Sequence, residues 1–183
     1  MNTSFVFLAD GFEEIEALAT IDVMRRAGMP VVTVSINPTL QVTGAHGVPV
    51  TADALIDQCD LTQAEWLICP GGMPGASNLA ACRPLTEALV AQNRKGGNVA
   101  AICASPAIVL APLGIINGRD AVCYPGMEVE CGAKWAATAM VVVDANVVTG
   151  RGPAAACEFG LTIVRQSLGA DAAMQVAQGM LIA

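Results

Sequence analysis

The 183-residue chain reads as an α/β protein, a three-layer sandwich in which helices cover both faces of a mostly parallel sheet. Three observations predict this. Short segments such as Phe5-Val6-Phe7-Leu8, Trp66-Leu67-Ile68-Cys69 and Val99-Ala100-Ala101-Ile102 are apolar throughout, as strands buried on both faces must be. Stretches with helical apolar spacing separate them. Hydrophobic residues make up 54% of the chain and charged residues only 14%, so the interior is large relative to the surface. The length suits one domain spanning 1–183, and the apolar surplus suggests that a partner subunit covers part of it, most simply in a symmetric dimer.

Each element follows in order. Phe5 to Ala9 is a short strand that Asp10-Gly11 breaks. Glu13 to Ala27 is a helix, since the spacing of Ile15, Leu18, Ala19, Ile21, Asp22, Val23 and Met24 gives it one mostly apolar face. Gly28 stops it at the position after the cap, with Arg25 and Arg26 complementing the helix dipole. Val31 to Ile36 is a β-branched strand, and Leu40 to Val50 is a hairpin turning near Gly44 to Gly47. Trp66 to Cys69 is a buried strand ending in Pro70-Gly71-Gly72, and Pro84 to Arg94 is a helix ended by Gly96-Gly97. After the strand Val99–Ile102, Ser105-Pro106 reads as the first turn of a helix, where proline is tolerated. Ala121 to Cys123, Met140 to Val143 and Asn146 to Thr149 are further strands. The hairpin and the last strand pair are expected as antiparallel additions at the sheet edge. Ala154 to Leu168 and Asp171 to Leu181 close the chain as helices.

Composition excludes several classes of function. A net charge of −7 argues against nonspecific nucleic-acid binding, which needs a basic face. The uncharged stretch between Lys95 and Arg119 is long enough to span a bilayer, but Asn98, Pro106, Pro112, Gly114 and Asn117 interrupt it. No membrane association is expected. Seven cysteines form no CxxC pair, which points to a reducing compartment. Phe5 to Leu8 has no basic region before it and Asp10 soon after it, so no signal peptide is expected and the reading is cytoplasmic.

Cys103 stands at a strand-to-helix corner, where an α/β fold gathers ligands. There the unpaired N–H groups of a helix start favour a thiolate. Asp10 to Glu16 and the loop Pro70-Gly71-Gly72-Met73-Pro74-Gly75 also follow strands, so three strand ends can converge on one pocket. The glycine spacing matches neither GxGxxG nor GxxxxGK[ST], and no nucleotide cofactor is expected. For Glu13 and Glu14 a place at the helix start is explanation enough. Glu16 faces inward or outward depending on helix phase; turned inward, it is desolvated and its pKa rises. The only histidine is His46, in the hairpin turn, so a Cys-His protease is disfavoured. No ligand set has zinc spacing, so no metal is expected.

Glu13-Glu14-Ile15-Glu16, Asp22-Val23-Met24-Arg25-Arg26-Ala27-Gly28, Pro70-Gly71-Gly72, Ala100-Ala101-Ile102-Cys103-Ala104, and Arg151-Gly152-Pro153 with Glu158-Phe159-Gly160 occur in this order. Together they resemble the DJ-1/PfpI (ThiJ) superfamily, in its DJ-1/YajL branch. The resemblance implies a flavodoxin-like sandwich and a homodimer. It also implies that Cys103 is the oxidation-sensitive nucleophile and Glu16 the carboxyl bonded to it. Gly72 and Ala104 would supply backbone N–H groups to an anion site, flanked by Gly71, Gly152 and Pro153. Tyr124 stands where some members carry a pocket histidine, and His46 where they carry an arginine. Two activities are implied: cofactor-independent glyoxalase or deglycase action on small aldehydes, methylglyoxal to lactate, in stress protection, or redox sensing and chaperoning through a Cys103 sulfinate without turnover.

Overall fold

The computed structural model describes residues 1–182. Its elements, in chain order, are β1 (Ser4–Leu8), α1 (Glu14–Arg26), β2 (Val31–Ser35), β3 (Gln41–Thr43), β4 (Pro49–Thr51), β5 (Ala54–Leu55), β6 (Trp66–Cys69), α2 (Gly75–Ala81), α3 (Arg83–Arg94), β7 (Asn98–Ile102), β8 (Asp120–Ala121), β9 (Lys134–Trp135), β10 (Val141–Asp144), β11 (Val147–Gly150), α4 (Ala156–Leu168) and α5 (Ala170–Gly179). Seven strands form one sheet in the order β10-β11-β7-β6-β1-β2-β5. Only β10 runs antiparallel to its neighbour.

The apolar strands bury alternate residues in two different cores, because successive side chains leave a strand on opposite faces. Val6, Leu8, Ile68, Ala100, Ile102 and Val148 pack with Phe12, Met24, Phe159 and Ile163 under α1 and α4. Phe5, Phe7, Leu67, Cys69, Val99 and Ala101 pack with Leu79, Leu85 and Leu89 from α2 and α3. The fold is therefore the three-layer α/β sandwich. From β1 the chain crosses to β2 on one side, and β6, β7 and β11 fill the other. The direction of winding reverses between β1 and β6, and a crevice for ligands forms at such a point.

Three expectations need correction, and two elements, β5 and α2, carry too little pattern to be expected. The hairpin β3–β4 is a sheet of its own rather than an addition to the main edge. The edge belongs to β5, whose two residues carry too little pattern to be read. Residues 120–121 pair only with β9, outside the main sheet. The helix expected after Ser105 is a single π-helical turn, Pro106–Leu110. Gly114 and Gly118, both at positive φ, then turn the chain away. Helix α2 was not expected, because Gly75-Ala76-Ser77-Asn78 lacks an apolar stripe.

Candidate active site

β7 delivers Cys103 to the crevice in a conformation that a side chain resists. Its φ of 64° lies in the left-handed region, at a cost of about 1–2 kcal/mol for a non-glycine residue. Two backbone bonds hold it there. The Cys103 N–H donates to the Gly150 carbonyl at the end of β11, and its own carbonyl accepts from the Tyr124 N–H, both at 2.8 Å. Ser105 Oγ donates to the Pro70 carbonyl and ties this corner to the loop after β6. The side chain is 7% exposed, enough to meet a small solute.

Glu16 enters from α1 and is fully buried. Its phase is set by Glu13, which caps the helix by accepting the Glu16 N–H at 2.7 Å. The Gly71 N–H donates to Glu16 Oε2 at 2.8 Å, and the Glu13 N–H donates to the Gly71 carbonyl at 2.9 Å, so these bonds bridge the reversal between β1 and β6. Gly71 has to lack a side chain. A Cβ there would lie 2.6 Å from Cys103 Cβ and 2.7 Å from Glu16 Oε2, which also shows how closely thiol and carboxyl approach. Gly72, at φ +89°, turns the loop so that its N–H meets the sulfur.

Burial dominates the electrostatics. It lifts the Glu16 carboxyl to about 7, against hydrogen bonds from the Cys103 thiol and the Gly71 N–H. Burial and the neighbouring Glu16 carboxylate together push the Cys103 thiol up to about 12, against the Gly72 and Ala104 N–H groups. Burial first, and the Glu16 carboxylate next, thus work against the thiolate that a helix start favours. Two negative charges do not fit in this space, and the pair carries one between its first and second ionisations. Glu16 Oε1 is buried without a hydrogen-bond partner, so a proton on Glu16 relieves an unsatisfied oxygen.

The expected residues thus fall into two groups. Cys103, Glu16, Gly71, Gly72 and Ala104 meet around one sulfur. Gly152 and Pro153 instead line an adjacent cavity with Tyr124. His46 is exposed, with its Nδ1 2.8 Å from Glu14 Oε2. Glu13 and Glu14 do more than face a helix dipole. Glu13 is the cap that orients Glu16, and Glu14 holds the hairpin turn by accepting the His46 and Val48 N–H groups. The three-residue step from Glu13 to Glu16 was the available signal, since it is the capping distance. Ligand atoms of Glu13, Glu14 and His46 lie within 4.8 Å of one another, but these hydrogen bonds account for the grouping without a metal.

A strained cysteine and a buried carboxyl at the reversal of an open parallel sheet define a class of α/β protein with one thiol packed against a carboxyl. The sequence profile of the DJ-1/PfpI family matches residues 3–166, and the chain belongs to that family. It is 36% identical to Protein DJ-1 homolog B of Arabidopsis thaliana over 170 residues, 92% of this chain. It spans only 39% of that relative and 45% of the related homolog A. It is also 36% identical to the glutathione-independent glyoxalase DJR-1.2 of Caenorhabditis elegans over 154 residues, 83% of this chain and 81% of the relative. Oxidized DJ-1 of Toxoplasma gondii superposes with a TM-score of 0.92 at 35% identity, covering 99% of this chain and 98% of the other.

Proposed function

We propose that the chain converts small 2-oxoaldehydes to 2-hydroxy acids, with methylglyoxal to lactate as the simplest case, and uses no cofactor. The observation that carries this reading is the Cys103 thiol packed against a carboxyl that burial has brought to about 7. Such a carboxyl exchanges protons readily at neutral pH. The similar Caenorhabditis elegans chain bears the name of a glyoxalase.

The Cys103 proton passes to Glu16, and the Gly72 and Ala104 N–H groups stabilise the thiolate left behind. Sulfur attacks the aldehyde carbon, forming a C–S bond, and the alkoxide takes the proton from Glu16, giving a hemithioacetal and leaving Glu16 ionised. Ionised Glu16 removes the hydrogen of that carbon as a proton, giving an enediolate, and returns it to the neighbouring carbon while the hydroxyl proton passes from the first oxygen to the second. The former aldehyde carbon is now oxidised to a thioester and the former ketone carbon reduced to an alcohol. Water cleaves the C–S bond, releasing the hydroxy acid and the thiol. Hydrolysis by a Cys-His pair is disfavoured, because the sole histidine, His46, is engaged by Glu14.

The test is lactate formation from methylglyoxal by wild type, Cys103→Ser and Glu16→Gln. Loss of activity by ~10² or more is expected in both variants. Full turnover by Cys103→Ser sinks the proposal.

A second reading is redox sensing, in which Glu16 and the two amides hold a Cys103 sulfinate. The resemblance to a chain described as oxidized supports it. Mild peroxide should then modify Cys103 ahead of the other six thiols, and Glu16→Ala should abolish that preference. We place the protein in a reducing, cytoplasmic setting on its seven free cysteines, and as a homodimer on the exposed Ile15 and Leu18 of α1. Among the described residues no helix is long and apolar enough to cross a membrane.

A further inference from the structure

A cavity whose walls are bonded to the Cys103 backbone is larger than a methyl group requires. It measures about 230 Å³ and lies between residues 124–125 and the loop 151–155. Both walls are fastened to the cysteine. The Tyr124 N–H is bonded to the Cys103 carbonyl, and the other wall begins one residue after Gly150, which accepts the Cys103 N–H. Both walls are therefore held close to the Cys103 backbone.

Its lining is mostly carbon, with Arg151 the one charged residue on its wall. Pro125, Met140, Pro153 and Ala154 contribute no side-chain hydrogen-bonding group, and Tyr124 adds an aromatic ring. That ring packs over Gly152: a Cβ there would lie 3.4 Å from Tyr124 Cδ2, in ordinary contact. Pro153 fixes its own φ, so the loop wall is stiff as well. A methyl group would fill little of this space. A phenyl or branched alkyl group would remove both its own surface and the cavity's from water, and methionine and aromatic walls suit such a group.

We propose that this cavity receives the carbon tail of the substrate, and that the chain prefers 2-oxoaldehydes bearing an aromatic or branched aliphatic group over methylglyoxal. This rests on the aldehyde reading given above. Tyr124, Met140 and Ala154 set the specificity, while Cys103 and Glu16 act on the common dicarbonyl head.

The experiment compares kcat/KM for phenylglyoxal and methylglyoxal in wild type and in Ala154→Phe, which places a ring in the cavity from an exposed position. A wild-type ratio of at least ~10 in favour of phenylglyoxal is expected, and a fall in that ratio of ~10-fold or more in the variant. A ratio near one, or a ratio that Ala154→Phe leaves unchanged, overturns the proposal while the aldehyde reading stands. Faster turnover of 4,5-dioxopentanoate, a 2-oxoaldehyde with a carboxylate tail, than of phenylglyoxal also overturns it, because Arg151 on the cavity wall would then be selecting an anion. Acetophenone, which lacks the aldehyde, provides a readout independent of turnover. In Cys103→Ser it should shift the Met140 methyl resonance, and Ala154→Phe should remove that shift. If acetophenone binds in this way but neither aldehyde is turned over, the aldehyde reading fails and the apolar site remains. Absence of the shift counts against the site itself.

Discussion

Glu16 shows how one residue trades stability for chemistry. Burial lifts its carboxyl from 4.5 to about 7, so between those values the folded chain holds a proton that the unfolded chain has released. The sign follows: the group's contribution to stability is full below pH 4.5 and is lost as pH rises through 7. At about 1.4 kcal/mol per pH unit, the shift corresponds to roughly 3 kcal/mol. Glu16→Gln keeps an acceptor for the Gly71 N–H and removes the charge. We predict that it stabilises the fold by ~1–3 kcal/mol at pH 8 and changes it little at pH 4. Urea unfolding at the two pH values measures this, and an equal effect at both would mean that Glu16 does not ionise with the shift described. Cys103 itself was legible in the sequence, because an apolar run ending in cysteine before Ser-Pro marks a strand end. Its φ of 64° was not, since nothing local distinguishes a strained cysteine from a relaxed one. The strain is imposed by Gly150 and Tyr124, which are distant in sequence.

The hairpin illustrates the same division between local pattern and distant partner at the scale of an element. Alternation around Gly44 to Gly47 reveals a turn, but only three residues of each strand pair. What fixes the turn is Glu14 on α1, which accepts from the His46 N–H at 2.7 Å and from the Val48 N–H at 3.5 Å and pairs with the imidazole. Gly44 leaves the room that the Glu14 side chain occupies. Burial works to raise the Glu14 pKa, but the hydrogen bonds from His46 and Val48 outweigh it and the net shift is downward. The bond to Glu14 and its charge raise that of His46. Glu14 thus contributes above 4.5 and loses its contribution as pH falls through its lowered value. His46 contributes fully below 6.5 and loses its contribution as pH rises through its raised value, so the clamp is tightest between the two ordinary values. Glu14→Ala should speed hydrogen exchange at the Ala45, His46 and Val48 amides by ~10-fold, a change of about 1.4 kcal/mol in local opening, while β7 amides keep their protection. Unchanged exchange in the turn would show that β3 and β4 hold it alone.

At the scale of the whole molecule, periodicity revealed the layers because parallel strands buried on both faces have no other way to be written. Edge and satellite pieces were hidden: β5, β8 and β9 have two residues each, and pairing decides their place rather than pattern. The same limit applies to assembly. Ile15 is 58% exposed and Leu18 41%, one helical turn apart on α1, and Val48 beside Glu14 is 46% exposed. The helix therefore turns Glu16 into the pocket and an apolar face outward. A folded chain in water rarely leaves such a cluster bare. A two-fold interface would bring this patch against its own copy, and a stable dimer covers about 800 Å² on each partner. A single carboxylate placed centrally in that area would be desolvated without a counter-charge on both subunits at once, because the symmetry repeats it. We predict that wild type sediments as a dimer at micromolar concentration and that Leu18→Glu sediments as a folded monomer, its circular dichroism unchanged. A monomeric wild type would leave Ile15 and Leu18 as plain surface. A dimer that survives Leu18→Glu would place the interface elsewhere on the molecule.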